Sequence, residues 1–123
     1  KWKEIIDQLN GTIFLIEGNH DRRQCGNTKN VLFKDVFQQL NLQIDNNHLL
    51  LNHYPLLCYP KPESNIQLFG HVHTNPYTIG SDNSRLKYLY PTQYDVGVDN
   101  NNFTPITYSE VLDIINKQKS KQL

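Results

Sequence analysis

An excess of charge of either sign is missing from this 123-residue chain, in which 12 Lys and Arg balance 12 Asp and Glu. With no basic stripe, binding to a nucleic-acid backbone by counterion release has nothing to drive it, so nucleic acid enters only as a substrate. The densest basic stretch, Lys117, Lys119 and Lys121, reads as a solvated helix end or tail. Long apolar runs are also lacking. Nothing approaches the roughly 20 residues that span a bilayer, and no signal-peptide pattern is legible, so no membrane partner is expected. Cysteine is scarce: Cys25 and Cys58 stand far apart with no C-x-x-C pairing. The expectation is a reduced, cytoplasmic protein with passive thiols, and one Cys25–Cys58 disulfide is the other reading. What remains is one domain's worth of sequence, residues 1–123, able to bury a modest core.

Several stretches carry a secondary-structure period. Trp2, Ile5, Ile6 and Leu9 recur as a helical stripe, with Gly11 placed for a C-terminal cap. "TIFLIE" (12–17) is short, apolar and β-branched, which predicts a strand buried on both faces of a parallel sheet. "VLFKDVFQQL" begins with Leu32, Val36 and Leu40 spaced for a helix. Leu40, Leu42 and Ile44 then alternate, "DNN" turns at 45–47 and "HLLLN" returns, a β-hairpin signature. "YPLLCYPKPESN" is broken by three prolines into loop, "IQLF" is a short strand ending at Gly70, and further strands are expected in "LKYLY" and "YDVGV". Thr107 followed by Glu110 is a capping box that opens a helix with Val111, Leu112, Ile114 and Ile115 on its apolar face.

Chemistry collects where the apolar strands stop. "TIFLIE" ends in Gly18, Asn19, His20 and Asp21; "HLLLN" ends in His53, Tyr54 and Pro55; "IQLF" ends in Gly70, His71, Val72 and His73. Ligands of open α/β sheets bind beyond the carboxyl ends of the strands. In an extended chain His71 and His73 point to one face, which aims two imidazoles at one place and suits a metal ion. Each residue also has a plain structural reading. Histidines at a strand end decorate a surface, His53 could be a satisfied core histidine, His20 could only support its neighbours, and "GNHD" could be a turn. His48 reads as structural, and Arg22 and Arg23 as a solvated loop or a phosphate contact.

Taken together, "GNHD", "NHYP" and "GHVH" in this order resemble the calcineurin-like metallophosphoesterase superfamily. "LNGTIFLIEGNHD" and "YDVGVDNNNFTPITYSEV" look especially like its small bacterial and phage members, and the resemblance covers essentially the whole chain. It implies an α/β fold of two packed mixed β-sheets flanked by helices. Two divalent ions are implied as cofactors, manganese, iron, zinc or nickel, because nitrogen and oxygen ligands without thiolate do not choose among them. By the same resemblance Asn19, His53 and His71 bind the second ion and His73 the first. His20 stabilises or protonates the leaving group, and Asp21 orients it. The family's D-x-H and G-D motifs are absent, so the chain reads as the C-terminal portion of the fold, short of a complete dinuclear centre. The implied activity is hydrolysis of a phosphate mono- or diester by a metal-bridging hydroxide. The alternative is a truncated or degenerate domain that binds metal or a partner without turnover.

Overall fold

The alternating stretch becomes a hairpin. In a computed structural model that describes residues 1–21, 29–74 and 83–121, strand β3 (Gln39–Ile44) pairs antiparallel with β4 (Asn47–Asn52), and Ile44 stands opposite Asn47. Asp45 takes the turn at φ 52°, a left-handed conformation that a short Asp side chain tolerates. β5 (Ile66–Phe69) adds parallel to β4, and β6 (Gln93–Asp95) adds parallel to β5, giving a mixed sheet in the order β3-β4-β5-β6. The carboxyl ends of β4, β5 and β6 therefore share one edge. A second, two-stranded parallel sheet joins β1 (Phe14–Ile16) to β2 (Asp35–Phe37).

The two faces of the larger sheet are filled differently. On one lies the C-terminal helix, whose N-cap Thr107 accepts a bond from the Glu110 N–H as the capping box requires. This helix is α3 (Tyr108–Ser120), since α1 (Trp2–Ile6) and α2 (Lys29–Leu32) precede it. Val111 and Ile115 pack with Leu49 and Ile66 into an apolar core. Against the other face the proline-broken loop after His53 is stitched down by buried amides. Gln67 receives the Leu56 N–H at 3.3 Å, and Gln93 donates to Gln67 at 2.8 Å and to the Leu56 carbonyl at 2.9 Å. Buried polar groups are tolerated only when paired in this way.

Five expectations need correction. The first helix stops at Ile6 with Asp7 as its C-cap, although Gly11 does take a left-handed φ of 88°. β1 is not buried on both faces, because Phe14 lies open to solvent. The helical spacing of Leu32, Val36 and Leu40 is divided among α2, β2 and β3, since "DVF" pairs with "FLI" instead. "LKYLY" is not a strand: its first three residues end a 3-10 helix (Asn83–Tyr88), in which Leu86 is half-buried. Finally, "YDVGV" leaves the sheet at Asp95, whose carboxylate folds back onto the Gly97 N–H at 2.8 Å and leads into a 3-10 turn (Val98–Asn100). Cys58 is an exposed free thiol; Cys25, Arg22 and Arg23 lie outside the described residues. Among the described residues no helix is long and apolar enough to cross a membrane.

Candidate metal centre

The three polar strand endings meet at His53. Its Nε2 lies 2.8 Å from Asn19 Oδ1 and 3.2 Å from His71 Nδ1. Gly18 makes the first approach possible: a Cβ there would stand 2.8 Å from two atoms of the His53 ring, closer than real contacts allow. Gly70 N–H donates to the His53 carbonyl at 3.0 Å, which carries β-type bonding past the end of the ladder and brings His71 alongside. The Tyr54 ring packs on both imidazoles, with centroids 4.9 Å from His53 and 4.7 Å from His71.

The crowding at His53 Nε2 bears on what the trio can hold. A ring nitrogen offers one proton or one lone pair, so it serves one of these two neighbours well, not both. Donors that share one ion at about 2.0–2.2 Å stand roughly 3 Å apart, close to the separations found here. Two imidazoles and an amide oxygen thus fit a single divalent cation. Burial, followed by the proximity of His71, lowers the His53 pKa below its ordinary 6.5, which favours the neutral ring that ligation needs. Among the described residues no three His, Cys, Asp or Glu side chains group around one point, and the third side chain at His53 is an amide.

His73 goes elsewhere. The expectation that His71 and His73 share a face assumed an extended chain, but β5 ends at Phe69 and both residues take left-handed backbones, at φ 67° and 49°. His71 turns toward His53, while His73 Nδ1 bonds the Asp99 carboxylate. Left-handed non-glycine residues cost of order 1–3 kcal/mol each and gather at functional sites. Here Asp95 helps to hold the turn: its buried carboxylate receives the Thr74 N–H at 3.1 Å as well as that of Gly97. His20 is exposed, and Asp21 accepts the Gly18 N–H at 2.6 Å. The motifs did not reveal Asp95 or Asp99; the D-x-G spacing of a side-chain-capped turn was the available signal.

The sequence matches no protein-family model and no curated protein. It is similar to a solved structure described as the protein of unknown function AQ665 from Aquifex aeolicus, at 22% identity and a TM-score of 0.62. The match covers 90% of this chain and 65% of that one. That likeness concerns the fold alone.

Proposed function

We propose that the chain belongs to a cytoplasmic metal-dependent phosphoesterase of the calcineurin-like type, built as a sandwich of its two sheets, and contributes one metal site to it. The observation that carries the reading is that Asn19 Oδ1 and His71 Nδ1, from two separate strand ends, both reach His53 Nε2 at the end of a third. A divalent ion held there would polarise a phosphoryl oxygen and make a bound water more acidic. Asn19, His53 and His71 would hold and orient that ion, and the Tyr54 ring packs against both imidazoles. His20 stands exposed near the trio, placed to supply a proton to a departing oxygen, a role typically worth about 10²–10⁴ in rate. Asp21, through the Gly18 N–H, fixes the turn that presents Asn19 and His20. His73, oriented by Asp99 as metal-binding histidines are by carboxylates, is the candidate ligand for the first ion of the pair.

Titration with Zn²⁺ or Mn²⁺ by calorimetry, followed by assay with bis-p-nitrophenyl phosphate and p-nitrophenyl phosphate, tests this reading. Binding that vanishes in His53→Ala, together with metal-dependent hydrolysis, is the expected result. Binding without hydrolysis favours a non-catalytic metal-binding domain. No binding at all ends the proposal.

A further inference from the structure

Beside the trio lies a cavity of about 360 Å³, walled by Glu17, Gly18, Asn19, Gln38, Asn52 and Tyr54. No lysine or arginine lines it, so it is not built for a second anionic group. No aliphatic side chain lines it either, which excludes an acyl chain. Its chemistry is three amides, one carboxylate and one aromatic ring. Asn52 is spent within the protein, its Nδ2 donating to Gln39 Oε1 at 3.1 Å and its Oδ1 accepting the Tyr54 N–H. The amide that can match the paired donor and acceptor on the edge of a base is therefore Gln38, while the Tyr54 ring takes a base by stacking. The volume falls near the small end of ligand pockets, roughly 300–1,000 Å³, and suits one nucleoside.

The aromatic wall is set before any ligand arrives. The Tyr54 N–H donates to Asn52 Oδ1 at 2.9 Å, and the Tyr54 carbonyl accepts from the buried Gln67 amide at 3.4 Å. Gln67 also receives the Leu56 N–H, so the loop is pinned on both sides of Pro55. Asn19 belongs to both the cavity and the trio, so an occupant of the cavity abuts the point where Asn19 Oδ1 meets His53 Nε2. We infer that the cavity binds the nucleoside of a nucleotide substrate whose phosphate ester lies at the trio. This rests on the metal-centre reading and narrows its substrate to nucleotides.

The test is a titration of isotopically labelled protein with adenosine, followed by nuclear magnetic resonance, with and without zinc chloride. Adenosine is expected to shift the side-chain amides of Gln38 and Asn52 and the ring of Tyr54. Tyr54→Ala should weaken binding roughly 5- to 150-fold. Gln38→Ala, in the short link between β2 and β3, should weaken it with the spectrum of the sheet unchanged. Zinc that shifts His53 and His71 while adenosine leaves the cavity unmoved overturns the nucleoside assignment and spares the metal centre. Glucose perturbing the same residues as strongly as adenosine also overturns it. Zinc that fails to shift His53 and His71 removes the centre on which the phosphate placement depends, whatever adenosine does.

Discussion

Ile66 and Phe69 in β5 keep 3% and 2% of their surface exposed, whereas Trp2, Ile5 and Phe14 near the N-terminus keep 39%, 49% and 52%. Both groups are apolar, so the contrast concerns what covers them. The four-stranded sheet has α3 on one face and a loop stitched by buried amides on the other. Helix α1 buries no residue, and β1 and β2 pair only with each other among the described residues. Burial contributes about 25 cal/mol per Å² of apolar surface, so most of the stability resides in the larger sheet. The trio joins the two regions: Asn19 hangs from the end of β1, while His53 and His71 are carried by β4 and β5. A cation bound there would fasten the weakly held region to the strong one.

Substitutions can break this contrast or sharpen it. Phe69→Ala should lower unfolding free energy by about 3–5 kcal/mol, measured by urea denaturation, because it opens a void in the best-packed part. Gly18→Ala places a Cβ against the His53 ring and should weaken zinc binding by roughly 10–100-fold in calorimetry. Its effect on urea denaturation should be much smaller than that of Phe69→Ala. Trp2→Ala should change stability by less than about 1 kcal/mol, since helix α1 buries no residue and Trp2 keeps 39% of its surface exposed. The metal-free protein should also lose stability as pH falls from about 6.5 through the lowered His53 pKa. There the unfolded chain takes up a proton that the folded ring resists. This decline should disappear in His53→Ala.

The same contrast explains what could be read from the sequence. The hairpin, β5 and α3 were legible because alternation, a short apolar run and a capping box each have a local cause, and the packed region obeys it. The first helix and "TIFLIE" misled because their periods announce burial that the fold does not supply to Phe14 or Ile5. At the candidate centre the motifs pointed to Asn19, His53 and His71, which the fold brings together. The division of "GHVH" was not, since it depends on two left-handed residues and on Asp95 and Asp99, some twenty-five residues downstream.

Amide hydrogen exchange with and without zinc tests the fastening role most directly. With free zinc at about 100 times its dissociation constant, linkage adds about 2.7 kcal/mol to the zinc-bound state. The amides of Leu15 and Glu17 in and after β1 should then exchange roughly 100-fold more slowly, because the opening that exposes them releases the ion, and His53→Ala should abolish the difference. Zinc that binds and leaves the β1 amides exchanging at their original rate contradicts the account.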